Sequence, residues 1–348
     1  MKHSIIPLFI PHYGCPHQCI FCNQVRITGM ATPVTAGDVE KTIRTWTASA
    51  RRFWEAAFYG GSFTALPENV MRSLLLPAKE ALRKGEIRAI RLSTRPDCIT
   101  EDILALLKEY GVTTVELGAQ SLDDQVLTLS ERGHKAEDIE KAVRLLQKEG
   151  FHTGLQLMTG LPGEDGRSLR YTARKAAALR PDFVRLYPVL VLKDTKLGRM
   201  YERGQYQPLT VDEAVFRCAF LKRWYRKKGI PVIRTGLQAT EELDRGDSLL
   251  AGPYHAALGE RADQYNTRHT LKKALRSWKG EEVLITCSRK DRSKIMGYRR
   301  STWEYLEKTL SLRLSCREDE SLPQGEVHLE KGKETRRIFL EGPAEKIP

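Results

Sequence analysis

Short apolar runs alternate with amphipathic stretches of helical period over the first half of the chain. The apolar runs predict strands, and the stretches between them predict helices. The predicted strands are Ile5–Ile10, Phe53–Tyr59, Ala89–Ser93, Thr114–Leu117, His152–Met158 and Phe183–Pro188. The predicted helices lie near Gly37–Ser49, Pro67–Lys84, Thr100–Tyr110, Lys135–Glu149 and Leu169–Leu179. Six strand–helix units with short links imply a parallel sheet.

The predicted fold class is α/β, with a partial (β/α)6 TIM-like barrel and a small C-terminal α+β extension. A doubly wound sheet fits the same rhythm. Beyond about residue 193 the rhythm changes to helices near Thr195–Arg203 and Thr210–Lys228 and a short strand at Pro231–Arg234. Val283–Cys287 is strand-like, and the stretch from Glu318 is polar. We therefore predict a barrel domain over 1–245 and the extension over 246–348.

Unusual residues follow five consecutive predicted strands. In barrels the chemistry gathers in the loops at the carboxyl ends of the strands, so these five loops predict a shared site. They contain Cys15–Cys22, Gly60–Thr64, Thr94–Asp97, Gly118–Ser121 and Gly160–Gly163.

The first of these loops has the spacing C-x-x-x-C-x-x-C, formed by Cys15, Cys19 and Cys22. Three thiolates can hold three corners of a four-iron cluster, which normally takes four cysteines. The fourth iron would then keep an open coordination position, as catalytic metal sites do. A structural zinc site completed by His12 or His17 is an alternative, and unmetallated cysteines are another.

The other loops allow ligand contacts but do not require them. Gly60-Gly61 lets backbone approach a ligand closely, although it is also an ordinary tight turn. The Gln120 amide can bond ribose hydroxyls and the Arg132 guanidinium can grip a carboxylate. Gln156 can equally line the barrel, and Gly160-Leu-Pro-Gly163 is first of all a turn signature.

The composition indicates the class of protein, its compartment and its possible partners. Forty-one per cent of the 348 residues are hydrophobic, which indicates an ordered globular protein. Seven cysteines, an odd number without an apparent export signal, favour a cytoplasmic protein over a disulfide framework. Fourteen Lys/Arg against five Asp/Glu fall within residues 268–317, out of a net charge of +13. Such a segment can attract nucleic acid, or it can be a solvated surface.

Several of these residues resemble motifs of the radical S-adenosylmethionine (SAM) enzymes. The cysteine motif, with Phe21 before its last cysteine, resembles their cluster signature. Gly60-Gly61-Ser62 resembles their motif for the SAM amino group. Gln120 and Arg132 are similar to the ribose- and carboxylate-binding pair of the oxygen-independent coproporphyrinogen III oxidase branch. The segment beginning at Gly160 resembles that branch's motif near the adenine.

A closer resemblance is to the radical SAM half of the Elongator catalytic subunit, over about residues 3–235. It is carried by Thr94–Asp97, Glu116–Ser121, Arg132–His134, Leu186–Val191 and Gly204–Pro208. The chain lacks that subunit's acetyltransferase domain and its wide first cysteine gap. It also lacks the acidic residues that the coproporphyrinogen branch carries near Ser93 and at Gln156, so haem-pathway decarboxylation is not expected.

The resemblance implies specific cofactors and site residues. Cys15, Cys19 and Cys22 would ligate a [4Fe–4S] cluster, and SAM would chelate its fourth iron. SAM contacts would come from Gly60, Gly61, Ser62, Thr94, Gln120, Arg132, Gln156 and Gly160. A reductant such as flavodoxin or ferredoxin would supply an electron, SAM would be cleaved to a 5′-deoxyadenosyl radical, and tRNA is the expected substrate.

Three hypotheses follow. The first is a radical SAM enzyme that modifies tRNA, favoured by the Elongator resemblance and the basic segment. The second is a radical SAM enzyme acting on a small metabolite or cofactor precursor. The third is a non-catalytic zinc-binding module that docks nucleic acid.

Overall fold

The protein is described from a computed structural model, which defines residues 4–10, 15–23, 34–49, 53–237, 246 and 248–340. The chain forms two compact units. The first comprises residues 1–210 and 230–256, and the second comprises 211–229 and 257–348. The predicted domain boundary at 245/246 stays a prediction.

The first unit is built on a parallel sheet of seven strands in the order β1-β2-β3-β4-β5-β6-β8. Every neighbouring pair in it is parallel. Its strands are β1 (Ser4–Phe9), β2 (Trp54–Tyr59), β3 (Ala89–Thr94), β4 (Val112–Gln120), β5 (His152–Thr159), β6 (Phe183–Pro188) and β8 (Val232–Thr235). The strands β7 (Val191–Leu192) and β9 (Leu249–Ala251) form a separate antiparallel pair.

Helices connect consecutive strands. They are α1 (Ala36–Ser49), α2 (Glu68–Arg83), α3 (Glu101–Glu109), α4 (Asp124–Leu129), α5 (Ala136–Lys148), α6 (Gly166–Ala178) and α7 (Lys196–Glu202). The hydroxyl of Thr100 accepts from the backbone N–H of Ile103 and so caps the start of α3.

The curled, partial-barrel fold class predicted from the sequence is confirmed, with one addition. The sheet continues past the sixth strand, because β8 pairs in parallel with β6. The two faces of the strands also differ chemically. In β3, Ile90 and Leu92 are fully buried, whereas Arg91 and Ser93 point to the opposite face. The inner face is therefore polar over part of the sheet.

The second unit combines helices with a four-stranded sheet of order β11-β10-β12-β13. Its helices are α8 (Val211–Lys227), α9 (Leu258–Leu275), α10 (Arg289–Met296) and α11 (Ser301–Leu310). Its strands are β10 (Glu282–Cys287), β11 (Arg313–Glu318), β12 (Glu326–Lys331) and β13 (Glu334–Phe339). Trp278 and Trp303 are nearly inaccessible and lie in its core.

The end of the second unit differs from its description as a polar stretch. Strands β12 and β13 pair as an antiparallel hairpin. Val327 and Leu329 alternate with polar residues and are fully buried in the core of the unit. Two apolar positions at a period of two are enough to bury one face of a short strand, although the segment is charged overall. No helix in the described part of the chain is long and apolar enough to cross a membrane.

Candidate functional site

The cysteine loop lies beyond the end of β1 and is fastened to two neighbouring segments. The backbone N–H of Ile20 donates to the carbonyl of Ser130 at 3.3 Å, and the carbonyl of Ile20 accepts from Leu197 N–H at 2.8 Å. The Ile20 side chain is buried in a cluster with Val126 and Leu161. The middle of the loop is therefore held in place by residues that follow β4, β5 and β7.

The three cysteines differ in exposure. Cys19 is buried, Cys22 is half-buried and Cys15 is exposed. Within the ranges the structure defines, no three His, Cys, Asp or Glu side chains are close enough together to hold a metal ion. Ligation by Cys15, Cys19 and Cys22 stays a prediction. His12 of the zinc alternative lies outside the described residues.

Arg132 connects the cysteine loop to β4. Its Nη1 donates to the Sγ of Cys19 at 2.8 Å, and its Nη2 donates to the carbonyl of Gly118 at 2.5 Å. A guanidinium that donates to sulfur complements the negative charge of a metal-bound thiolate. The hydrogen bond from Arg132 therefore suits Cys19 as a thiolate ligand of a cluster.

Gln120 lies next to this guanidinium. A Cβ added at Gly118 would be 3.1 Å from Gln120 Nε2 and 3.4 Å from Arg132 Nη2, so both side chains pass over Gly118. Gln120 adopts a left-handed φ of 66°, and β4 has an irregular register at this point. The structure thus brings Gln120, Arg132 and Cys19 into one place.

Among the residues that the structure describes, two polar atoms of this group have no hydrogen-bond partner. They are Gln120 Oε1 and Arg132 Nε, and both are buried. Buried polar groups are normally satisfied, so this acceptor beside a cationic donor is suited to binding a polar ligand. Ribose hydroxyls and a carboxylate are groups that would satisfy them.

The loops after β2 and β3 are held together by hydroxyl groups. Ser62 Oγ lies 3.2 Å from Thr94 Oγ1, and Thr64 Oγ1 lies 2.6 Å from the same atom. The backbone N–H of Arg95 donates to Ser62 Oγ at 3.3 Å. Gly60 has a φ of 96°, which glycine adopts readily. Thr64 was not predicted as a site residue, although it belongs to the same loop motif.

Gly160 and Gln156 form hydrogen bonds with other residues of the protein. The N–H of Gly160 donates to Glu164 Oε1 at 2.7 Å, and its carbonyl accepts from the hydroxyl of Tyr206 at 2.5 Å. Gln156 Nε2 donates to Ser93 Oγ at 2.9 Å and to Glu116 Oε2 at 3.1 Å. Both residues thus have partners within the protein, and their contacts with SAM stay predictions.

The backbone of Arg132 is bound by Arg95, which forms a salt bridge with Asp97. Arg95 Nη2 donates to the carbonyl of Arg132 at 2.6 Å and to Asp97 Oδ2 at 2.9 Å. Asp97 Oδ1 also lies 3.8 Å from Nδ1 of the inaccessible His134 side chain. Burial, with the charges of Arg132 and Arg95, lowers the pKa of His134 to about 3. The imidazole is therefore neutral in the folded protein near neutral pH.

We expect His134 to make unfolding easier as the pH falls below about 6.5, its ordinary pKa. In the unfolded chain His134 binds a proton near that pH, whereas in the folded protein it does so only near pH 3. Protonation between these values favours the unfolded state, by at most about 1.4 kcal/mol per pH unit. Urea denaturation of the wild type and His134→Gln at two pH values measures this. The variant should lose less stability on acidification, and equal losses would contradict the assignment.

A second polar cluster, which we call the floor network, lies on the inner face of the sheet. Its centre is the carboxylate of Glu116, which is inaccessible to solvent. Glu116 is 3.2 Å from Arg91 Nη1 and 3.0 Å from Arg185 Nε. The hydroxyl of Tyr59 donates to Glu116 Oε1 at 3.2 Å and accepts from Arg185 Nη2 at 2.9 Å.

The floor network lies directly before the loops of the candidate site along the strands. Tyr59 immediately precedes Gly60, and Glu116 is two residues before Gly118. Two strand residues span about 7 Å, so the network lies just beneath the rim. Burial and the neighbouring Glu116 raise the pKa of Tyr59, so its phenol keeps its proton. This cluster was not predicted from the sequence. The signal was a charged residue inside each of three predominantly apolar strands.

Two protein-family models match the chain. The sequence model of the Radical SAM superfamily matches residues 9–176, and that of the Radical_SAM C-terminal domain matches residues 181–267. An uncharacterised protein of Methanocaldococcus jannaschii is 29% identical over 224 residues, which cover 60% of this chain and 68% of that protein.

Two further proteins are similar to parts of the chain. The tRNA uridine(34) acetyltransferase of Methanocaldococcus jannaschii is 31% identical over 191 residues, covering 53% of this chain and 34% of that enzyme. The chain therefore matches about a third of that relative's length. The solved structure of the archaeal Methanocaldococcus infernus Elp3 with an N-terminal deletion has a TM-score of 0.60 and 22% identity. That match covers 79% of this chain and 64% of the other, and it shows a shared fold.

Proposed function

Because the chain belongs to the radical SAM superfamily, we propose that its cysteine loop holds a [4Fe–4S] cluster at which SAM is cleaved. Membership makes the protein a radical SAM enzyme and confirms the resemblance drawn from the cysteine motif. It argues against the non-catalytic zinc-binding module.

The residues present suit these cofactors. Cys15, Cys19 and Cys22 would hold the cluster, with Arg132 donating to the Cys19 sulfur. The buried and unpaired Gln120 Oε1 would accept from a ribose hydroxyl of SAM, and Arg132 Nε would donate to the SAM carboxylate. The observation that carries the proposal is this pair of unsatisfied atoms next to a motif cysteine.

The remaining loops would complete the SAM site. Gly60 and Gly61 offer backbone without a Cβ, and Ser62 and Thr94 hold the two loops to each other. When bound, the cofactors supply one-electron reductive cleavage of SAM to methionine and a 5′-deoxyadenosyl radical. A reductant such as flavodoxin or ferredoxin would supply the electron. We also expect the enzyme to work in the cytoplasm, where thiols stay reduced.

The chain's own residues would then orient the substrate and keep water out. The floor network lies beneath the loops, and several of its polar side chains hydrogen-bond to one another. Its half-buried members are Tyr59, Arg91, Gln156, Arg185 and also Tyr187, whose hydroxyl accepts from Arg185 Nη1 at 3.2 Å. They would hydrogen-bond a polar substrate that enters from the rim.

We propose tRNA as the substrate class. The support is the relative named as a tRNA uridine(34) acetyltransferase and the basic segment of the second unit. The alternative, a small metabolite or cofactor precursor, would also fit the polar floor. Comparing tRNA nucleosides and metabolites from strains with and without the gene separates the two. A missing tRNA modification supports the proposal, and unchanged tRNA with an accumulated metabolite contradicts it.

SAM cleavage has its own test. The anaerobically reconstituted enzyme, reduced with dithionite, should form 5′-deoxyadenosine from SAM. Arg132→Lys should reduce this activity about tenfold or more, because lysine cannot reproduce two directed charge-assisted hydrogen bonds. Arg167→Lys on the exposed start of α6 is the matched control and should match the wild type. If the wild type forms no 5′-deoxyadenosine although it holds its iron, the proposed cleavage is wrong.

A further inference from the structure

An exposed aromatic and arginine-rich loop lies in the second unit between α10 and α11. Tyr298 exposes 74% of its surface, the highest value among the exposed large hydrophobic side chains of the described chain. The guanidinium of Arg299 lies 5.3 Å from the centre of the Tyr298 ring. Arg299 and Arg300 are also exposed. We call residues 298–300 the tyrosine–arginine loop.

The residues on either side of the loop lie against α9 and α11. Gly297 has a φ of 73°, and a Cβ added there would lie 2.2 Å from Gln264 Nε2 and 2.9 Å from the backbone nitrogen of Thr302. Gln264 Nε2 also donates to Ser301 Oγ at 2.9 Å, which joins α9 to the start of α11. The loop is therefore packed against both helices, and its exposed side chains project from a fixed base.

Its backbone is strained. Arg299 and Arg300 have φ values of 48° and 63° in succession. Left-handed conformations are unfavourable for a non-glycine residue, because its Cβ comes too close to the following carbonyl oxygen. The packing around Gly297 holds the two arginines in this unfavourable conformation. Both arginines therefore face solvent beside the exposed Tyr298 ring.

The basic surface continues along the α9–α11 seam. The guanidinium of Arg268 lies 4.7 Å from the centre of the Tyr305 ring, and Lys272 Nζ lies 5.0 Å from it. Arg268 is one helical turn beyond Gln264, and Tyr305 is one turn beyond Ser301. The tyrosine–arginine loop and this cation–aromatic group therefore follow one another along the same seam.

The cations of this surface differ from Arg292 and Lys294 in their partners. Arg292 forms an ion pair with Glu318 at 2.9 Å, and Lys294 forms one with Asp291 at 3.6 Å. In the described part of the chain no carboxylate lies within ion-pair distance of Arg299, Arg300 or Arg268. Arg268 Nε is buried and has no hydrogen-bond partner among the described residues. Their charge is thus available for an external anion. The acidic residue nearest in sequence to the tyrosine–arginine loop is Glu304, in the first turn of α11.

We propose that the tyrosine–arginine loop and the α9–α11 seam bind unpaired nucleotides of an RNA. Exposed tyrosine rings stack on bases, and arginines beside them neutralise phosphates, which is how single-stranded nucleic acid is commonly bound. The exposed ring face favours RNA over an acidic protein, because a base offers a flat surface that a carboxylate lacks. This inference rests on the proposed tRNA function and locates part of that recognition in the second unit.

Binding of fluorescently labelled tRNA to the reconstituted enzyme tests the surface. Tyr298→Ala should weaken binding about tenfold, through lost stacking. Arg299→Gln/Arg300→Gln should weaken binding and reduce the slope of log affinity against log salt by about 1.5. A charge-matched control is Arg292→Gln/Arg313→Gln, because both arginines are already paired with glutamates. This control should bind more tightly than the Arg299/Arg300 variant.

The outcomes separate this inference from the proposed function. Wild-type SAM cleavage and tRNA binding, with binding lost in the loop variants, supports both. Unchanged affinity and salt slope in the loop variants, or equal losses in the control, overturns the inference and leaves SAM cleavage intact. Equal effects on a fully double-stranded RNA would also overturn it, since stacking requires unpaired bases. A wild type that holds iron but cleaves no SAM refutes the proposed function instead.

Discussion

Replacing Cys15, Cys19 and Cys22 together by alanine should reduce the iron and sulfide of the anaerobically reconstituted protein from about four of each per chain to near zero. Thiolates are the protein ligands of such clusters, and removal of all three leaves the loop without any. The loss should be accompanied by loss of the broad visible absorbance of the cluster. Metal analysis of the same samples for zinc tests the alternative site directly.

Cys98→Ala is the matched control for the cysteine variant. Cys98 is a half-buried cysteine of the same unit that follows the Thr94–Asp97 loop, and it has no motif spacing. Burial and the neighbouring Asp97 raise the pKa of its thiol, which disfavours the metal-binding thiolate. Cys98→Ala should keep its iron. Iron loss in this control, or stoichiometric zinc in the wild type, would contradict the three-cysteine cluster.

Much of the barrel unit could be predicted from the sequence, because its strands are short apolar runs between amphipathic helices. Phe183–Pro188 is observed with the predicted bounds, and the other predicted barrel strands shift by a few residues at their ends. The hairpin of β12 and β13 was missed because its strands carry mostly charged residues and only a few buried apolar ones. Its stability depends on packing against β10, which no local pattern reveals.

The site was predictable in its loops but not in its floor. Gly60, Gln120 and Arg132 stand out because glycine, an amide and a guanidinium follow apolar strands. Glu116 is read from sequence only as an interruption of such a strand. Its role appears once the parallel register places Glu116 opposite Ser93 and Gln156 opposite Arg185. Lateral neighbours of this kind depend on the order of strands, which local periodicity does not determine.

Glu116→Gln should lower the free energy of unfolding by about 3–5 kcal/mol, the usual cost of breaking a buried ion pair from one side. The substitution preserves shape but removes the charge that faces two arginines. Arg91 would keep Glu55 as an acidic partner. Arg185, by contrast, forms its ion pair with Glu116 and with no other carboxylate of the described residues. The guanidinium of Arg185 would then be left largely buried without a counter-charge, and its desolvation would no longer be offset.

Urea denaturation of the wild type and two variants measures this effect. Glu109→Gln is the control, since Glu109 pairs with Arg72 at 2.9 Å on the surface, where half of its side chain is exposed. Exposed pairs contribute at most about 1 kcal/mol, so the control should unfold almost as the wild type does. A Glu116→Gln variant no less stable than Glu109→Gln would show that the floor network is solvated. The polar interior proposed for substrate binding would then be an open, water-filled cleft rather than a preorganised surface.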